Sequence, residues 1–486
     1  MPRQEMLSYL FSPSSVAIIG ASEAEGKVGN TFLKSFLEGD FDGKLYPVNP
    51  VLKEVMGLKC YPDILSIPGE VELVIIASPI HTILDVINGC IEKGVKIVIM
   101  VGVGFGESGV RGRTLEAEVV KIARGGGLRI LGPNTMGLFC PQSRINTLMP
   151  VLRLPFDAGH ISVVGQSGWV SENSFLLGCE RGLRYSKVVD SGNEGDLTAI
   201  DFIEYFAEDP DTKIIGAYIE GVKDGQDFIK RLREAGAKKP VIICKGGKTE
   251  AGARVIASHT GSLAGNFAVF STAIKQAGAI RADGLEELVD SLVAFTSPFL
   301  PKGNRVGLIV ESGGGGTFAI DMCQAQGLEV PELPEDVSEK IKELFLRLVP
   351  SVSAIHNPVD LVFPPFDGRG IQMFTESLKF MSEFVDVFLL LTYHVSSFAS
   401  EEVSNRFLDE IEKVREEIRK PIVLVPGYIT DCPARLVQCA HKNIPSFPTP
   451  ERAAKAISTL LQFSLARDNT AGTIGCMMSC NHRTSG

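Results

Sequence analysis

No long basic run occurs anywhere in the 486 residues, and the formal net charge is −10, which argues against nucleic acid as the main partner. No apolar stretch approaches the ~18 residues that a membrane-spanning helix needs. The start, Met1-Pro2-Arg3-Gln4-Glu5, lacks the pattern of a secretory signal. The ten cysteines show neither a CxxC pair nor the spacing of a disulfide framework. Several sit in apolar runs, such as Cys244 after Val241-Ile242-Ile243. They read as reduced thiols in a cytoplasmic protein. Cys476, Cys480 and His482 gather near the end, but the Gly, Ser, Thr and Asn around them suggest a frayed tail from about Ala466 rather than a metal site. Tryptophan is almost absent: Trp169 is the only one.

What is present is ordinary in composition, 44% apolar and 22% charged, and long enough for roughly three domains of ~150 residues. Short apolar runs alternate with helical patterns, which predicts an α/β fold. Ser15-Val16-Ala17-Ile18-Ile19-Gly20 reads as a buried parallel strand. Gly20-Ala21-Ser22 and Gly26-Lys27-Val28-Gly29 follow, and then a helical pattern through Phe32, Leu33, Phe36 and Leu37. Amides at such a helix start cradle phosphate, and Lys27 adds positive charge. The glycine spacing does not fit GxGxxG. The next strand ends in Val48-Asn49-Pro50 rather than in a carboxylate. Both points disfavour a nicotinamide cofactor. Further strands end at Ser78-Pro79, at Gly102-Val103-Gly104 and at Gly132-Pro133-Asn134. In open parallel sheets that edge is where ligands bind.

The second half reads as two copies of one α/β unit, about 158–300 and 303–465. Ser167-Gly168 after one strand corresponds to Ser312-Gly313 after another, and Lys239-Pro240-Val241 echoes Lys420-Pro421-Ile422. Ser167-Gly168-Trp169 opens a helix and is therefore a candidate anion site, with a plain serine N-cap as the bland alternative. GQSG and ESGG both fail the GxSxG pattern of a nucleophilic serine. Lys213-Ile214-Ile215-Gly216-Ala217-Tyr218-Ile219-Glu220-Gly221 reads as another strand, and its Glu220 stands at the ligand edge if the sheet is parallel, with a plain solvated charge as the bland alternative. The segment from Lys245 to Gly265 is rich in glycine and small residues and lacks apolar periodicity, so it reads as a surface loop. His259 lies in it. Imidazole is a nucleophile near neutral pH, and a carboxylate such as Glu220 would fix its tautomer. The first copy alone carries such a histidine, which suggests chemistry in the middle domain and scaffolding in the last.

Taken together, these motifs resemble the α subunit of ADP-forming acetate–CoA ligases, relatives of the succinyl-CoA synthetase α subunit. The motifs that carry the resemblance are Ile19-Gly20-Ala21-Ser22 with Gly26 and Gly29, Gly132-Pro133-Asn134, Gly165-Gln166-Ser167-Gly168, Tyr218-Ile219-Glu220-Gly221 and Ser258-His259-Thr260-Gly261-Ser262-Leu263-Ala264-Gly265. The resemblance implies a Rossmann-like CoA-binding domain at 1–150, flavodoxin-like domains at 151–300 and 301–465, and a flexible tail at 466–486. It implies that Gly20, Ala21, Ser22, Lys27, Val28, Ser78 and Pro79 lie near coenzyme A and Asn134 near the thioester. His259 matches the phosphorylated histidine, Glu220 its carboxylate partner, and Ser167, Gly168 and Trp169 the phosphate-binding helix start. Acyl-CoA and phosphate would be used here, with no metal. Magnesium and ADP or ATP would sit on a separate ATP-grasp β subunit, in an α2β2 assembly. A non-catalytic CoA-binding regulator and a succinate-specific α subunit are the competing readings. The domain at 301–465 goes against the latter.

Overall fold

A computed structural model describes residues 3–150, 152, 156–259, 266–350, 355–427 and 432–480, apart from the side chains of residues 3, 257–259, 432 and 468–480. Three parallel-type sheets follow one another along the chain. The first has five strands in the order Lys44–Val48, Ser15–Ile19, Leu73–Ile76, Ile97–Met100 and Arg129–Leu131. All its pairings are parallel. The three middle strands are buried along their whole length, which is why they read as unbroken apolar runs rather than as alternating patterns. Helices Val28–Glu38, Ile83–Lys93 and Val110–Gly125 follow the first, third and fourth strands in chain order. Their apolar stripes supply Phe32, Leu33 and Phe36, Ile87 and Cys90, and Val119 and Ala123 to the core.

The second sheet orders Ile280–Ala282, Val241–Lys245, Ile214–Ile219, Ile161–Gly165, Tyr185–Asp190, Leu138–Cys140 and Ile145–Asn146. Its first five strands are parallel, whereas Leu138–Cys140 pairs antiparallel with Tyr185–Asp190. A hairpin from within the predicted first domain thus joins the second sheet, and the sheet boundary falls before residue 138 rather than at 150. The hairpin covers an edge that would otherwise leave a row of unpaired backbone groups.

The third sheet orders Val359–Asp360, Val306–Val310, Val387–Thr392 and Ile422–Pro426. Matched strand for strand, this is the order of the second sheet's parallel part. Its fifth strand is reduced to one parallel bridge, Leu424 to Ser446. Both doubly wound sheets are therefore flavodoxin-like, and the internal echo in the sequence reflects a repeated topology. The helices that open the two copies, Gly168–Glu180 and Gly313–Ala325, are followed by glycines with positive φ, Gly182 at +78° and Gly327 at +74°.

The chain divides into two compact units, Met1–Leu176 with Arg184–Leu288, and Leu177–Leu183 with Val289–Gly486. The first unit holds the whole of the first predicted domain and most of the second, without residues 177–183 and 289–300. Asp196, whose side chain is fully buried, takes Arg124 Nε at 2.5 Å and Arg129 Nε at 2.7 Å, and so ties the first sheet's helix and strand to the second domain. In the second unit the last helix, Pro450–Cys480, runs on past Ala466, where the sequence suggests a frayed tail. Its first turns are anchored by buried Ala453, Ala454, Ile457, Leu460 and Phe463, and extending an established helix adds one hydrogen bond for each residue fixed. No helix among the described residues is long and apolar enough to cross a membrane.

Candidate active site

In the first sheet the strand order reverses beside Ser15–Ile19, with Lys44–Val48 on one side and Leu73–Ile76 on the other. The crevice at such a switch point, at the strands' carboxyl ends, is the usual ligand edge of an open sheet. One loop leaving that edge carries Gly20, Ala21 and Ser22, and the other carries Ser78 and Pro79. Gly20 has φ +94°, and a Cβ there would lie 2.7 Å from the Ala77 carbonyl oxygen. A Cβ on Gly29 would lie 2.0 Å from the Gly20 carbonyl oxygen. The two glycines thus let the turn and the helix start close on each other. Asn49 Nδ2 donates to the Ala21 carbonyl at 2.8 Å and Asn30 Nδ2 to the Ser22 carbonyl at 3.0 Å, which fixes the loop. Lys27 occupies the N-cap without a side-chain cap, and it is exposed together with Val28. A helix start with amides not capped by a side chain, a cradle that side chains at 20 or 29 would fill and a nearby lysine fit the phosphates of coenzyme A.

Asn134 sits where the first sheet meets the second domain. Its φ is +54°, and it follows a cis Gly132-Pro133 bond. Its amide donates to the Gly102 carbonyl at 3.1 Å and its Nδ2 to Asn193 Oδ1 at 3.1 Å. Asn193 N–H donates to the Pro133 carbonyl at 2.9 Å, and Gly195 N–H to the Gly132 carbonyl at 3.0 Å. Gly192 has no room for a side chain, because a Cβ would lie 2.4 Å from the Pro133 carbonyl oxygen. Turn 132–134 and loop 190–195 are in this way locked together.

Helix Gly168–Glu180 begins beside that lock. Trp169 is exposed and Ser167 half-buried. Ser171, in the same first turn, is buried, and its hydroxyl has no hydrogen-bond partner among the described residues. Behind the helix start lies Asp190, fully buried at the end of its strand. Its Oδ2 accepts from Met136 N–H at 2.8 Å and its Oδ1 from Gly192 N–H at 3.3 Å. Burial pushes its carboxyl up to about 6, against the pull of those N–H groups and with the charge of Glu172 adding to the rise. Glu194 is also buried. Its Oε1 accepts from Ala199 N–H at 2.6 Å and Ser191 Oγ at 3.0 Å, yet burial lifts its carboxyl to about 7.

Glu220 is buried at the end of strand Ile214–Ile219. Gln166 Oε1 accepts from the amides of Glu220 at 2.5 Å and Gly221 at 3.0 Å, while its Nε2 donates to the Gly221 carbonyl at 2.9 Å. Lys245 Nζ, also buried, donates to the Glu220 carbonyl at 2.8 Å. Burial lowers the lysine's pKa, and the charge of Glu220 works against that fall. The Tyr218 hydroxyl is pushed well above its usual range by burial and then by the same carboxylate. One turn therefore holds Glu220 between a side-chain amide and a buried amine.

The segment from Lys245 onward is not a loop throughout. Lys245 ends a buried strand, and Glu250–His259 is a helix that packs on the short turn Gly106–Ser108. Glu, Ala and Arg in EAGARVIASH are strong helix formers, and the Thr249 hydroxyl accepts from Gly252 N–H at 3.1 Å at the helix start. His259 is that helix's last residue. Its side chain, and residues 260–265, lie outside the described residues, as do the side chains of Cys476 and Cys480 and the whole of His482.

In the second unit, Glu311 and Ser312 occupy the positions of Gln166 and Ser167. Glu311 Oε1 takes Thr392 Oγ1 at 2.7 Å and His394 Nδ1 at 2.8 Å, and His394 Nε2 faces the Pro365 carbonyl at 3.2 Å. This histidine is fully buried and follows the third strand rather than the fourth, so it is no counterpart of His259. The sequence did not single out Gln166, Asp190, Glu194 or Lys245. Gln166 stood in view inside the Gly165-Gln166-Ser167-Gly168 motif, but its partners are 54 and 55 residues away in sequence.

Residues 14–141 match the family described as CoA binding domain, and residues 158–295 the succinyl-CoA ligase like flavodoxin domain. Over 462 residues the chain is 36% identical to subunit alpha of acetate–CoA ligase [ADP-forming] II from Pyrococcus furiosus, covering 94% of this chain and 98% of that one. The chain belongs to the ADP-forming acetate–CoA ligase family. A longer relative, acetate–CoA ligase [ADP-forming] I from Archaeoglobus fulgidus, is 34% identical, and the match spans 94% of this chain but 63% of that protein. Among solved structures, an acetyl-coenzyme A synthetase 1 from Ca. Korarchaeum cryptofilum, in complex with phosphate and ADP, superposes with a TM-score of 0.83 at 31% identity. That match covers 96% of this ligase-family chain and 98% of the other.

Proposed function

We propose that this chain is the α subunit of an ADP-forming acyl-CoA synthetase, with acetate as the default acid, working in the cytoplasm with a separate ATP-grasp β subunit as α2β2. The observation that carries this reading is the near end-to-end match to a subunit named alpha, 98% of whose length is covered. In this reading Gly20, Ala21, Ser22, Lys27, Val28, Ser78 and Pro79 bind the CoA moiety at the switch point, and Asn134 faces the thioester. A phosphate oxygen attacks the thioester carbonyl. The C–S bond breaks, the electron pair leaves on sulfur, and the phosphate hydrogen ends on the thiol. The N–H groups at Ser167, Gly168 and Trp169 hold the phosphate, where oriented amides stabilise developing charge without reorganising. His259 then attacks phosphorus and releases the carboxylic acid. Glu220, fixed by Gln166 and Lys245, orients the imidazole and stabilises its cationic form. ADP, held with magnesium on the β subunit, finally receives the phosphoryl group.

The test is incubation of the full chain with acetyl-CoA and labelled phosphate. Acid-labile, base-stable label is expected in the natural protein and not in His259→Ala. Equal labelling of both would end the reading.

A further inference from the structure

Asp190 stands against the first residue of helix Gly168–Glu180: a Cβ built on Gly168 would lie 3.3 Å from Asp190 Oδ2. The same Oδ2 accepts from Met136 N–H, two residues beyond Asn134. This carboxyl is buried, with 1% exposure, between turn 134–137 and the helix that we read as binding phosphate. An anion arriving at residues 167–169 must share the positive end of one helix dipole with a buried carboxylate. Like charges a few ångströms apart at such a site cannot both persist without cost, and one of them is relieved by a proton. The groups that face Asp190 are Glu172 from the helix, the N–H groups of Met136 and Gly192, and Thr135, whose hydroxyl donates to the Asp190 carbonyl. Glu172 is a second carboxyl, itself pushed upward by burial.

We propose that Asp190 couples anion binding at the start of helix Gly168–Glu180 to the uptake of one proton from solvent. The phosphate site is then proton-linked: it accepts its dianion most readily when Asp190 is neutral. As the pH rises, the ionised carboxylate, held by Met136 N–H and Gly192 N–H beside Gly168, repels the phosphate across the helix start. The direct consequence is that acyl-phosphate formation weakens on the alkaline side through loss of phosphate affinity, with a rising KM for phosphate. The inference rests on the reading of residues 167–169 as the anion site, and the experiment separates the two.

Sulfate is the probe, because its charge is constant across the range. It is titrated into the full chain at about pH 5.5 and about pH 8, with Trp169 fluorescence and calorimetry as readouts. Calorimetry in two buffers of different ionisation heat counts the protons taken up per anion. The natural protein is expected to lose roughly fivefold or more in affinity over this interval and to take up about 0.4 proton or more near its midpoint. Asp190→Asn is expected to bind with less than about twofold variation and almost no proton uptake. No sulfate binding by the natural protein at either pH overturns the anion site itself. Binding with the same pH dependence and proton count in Asp190→Asn overturns the coupling while leaving the site standing. Should that variant fail to fold, Glu172→Gln decides, since removal of its charge must move the midpoint of the pH dependence downward. An unmoved midpoint overturns the proposal.

Discussion

Gln166 illustrates how much one side chain can organise. Its amide makes three hydrogen bonds to the backbone of Glu220 and Gly221, 54 and 55 residues further along. Gln166→Leu leaves two N–H groups and a carbonyl without their partner, which should lower stability by about 2–4 kcal/mol in a thermal melt. Because Glu220 loses its fixed position, labelling of His259 from acetyl-CoA and phosphate should fall by roughly 10–100-fold in the same variant. Glu194 makes a different test. Its carboxyl is raised from 4.5 to about 7, so the folded state holds the proton that the unfolded chain releases. The associated stability is fully present below about 4.5 and is lost as the pH rises through about 7. Glu194→Gln removes this dependence. Denaturant titrations should show the variant gaining on the natural protein by ~2–4 kcal/mol between pH 4.5 and pH 8. A gap that stays constant with pH would contradict the buried, proton-holding carboxyl.

At the scale of elements, the strand-turn-helix units were legible in the sequence and the helix Glu250–His259 was not. Ser15–Ile19 announces itself by an apolar run that ends in a glycine, and both signals are local. The run Glu250–His259 shows no clear apolar stripe, Ile256 being the one buried side chain among its described residues, and the glycines before and after it resemble loop chemistry. It is a helix because of intrinsic propensity and a threonine cap. Thr249→Ala should fray its first turn by about 1 kcal/mol, read as faster amide exchange at Gly252. The opposite extreme is Gly29. A methyl group there meets the Gly20 carbonyl oxygen at 2.0 Å, so Gly29→Ala must push the helix off its strand turn. CoA binding measured by calorimetry should drop by roughly tenfold or more, with a stability loss of about 1–3 kcal/mol.

At the scale of the whole molecule, the first unit behaves as one body because Asp196 joins its two domains through Arg124 and Arg129. Removing the buried carboxylate strands the Ile130 N–H that it accepts from and frees two arginines that reach solvent, Arg124 more than Arg129. Asp196→Ala should therefore cost about 1–3 kcal/mol and split the first unit's melting transition in calorimetry. The proposed β subunit supplies the remaining prediction. With acetyl-CoA and phosphate the chain alone should accept label on His259, and ATP should form from ADP only after an ATP-grasp partner is added.

The sequence by itself determined the layered α/β character, the repeated unit, the glycine turn at the first strand and the resemblance to a ligase family. All of these are carried by local runs, spacings and short motifs. Only the tertiary structure decided that Leu138–Cys140 closes the second sheet's edge, that Gln166 and Lys245 grip Glu220, and that Asp190 lies behind the start of helix Gly168–Glu180. Those facts depend on which distant segments become neighbours, and on how far a carboxylate is removed from water once they do.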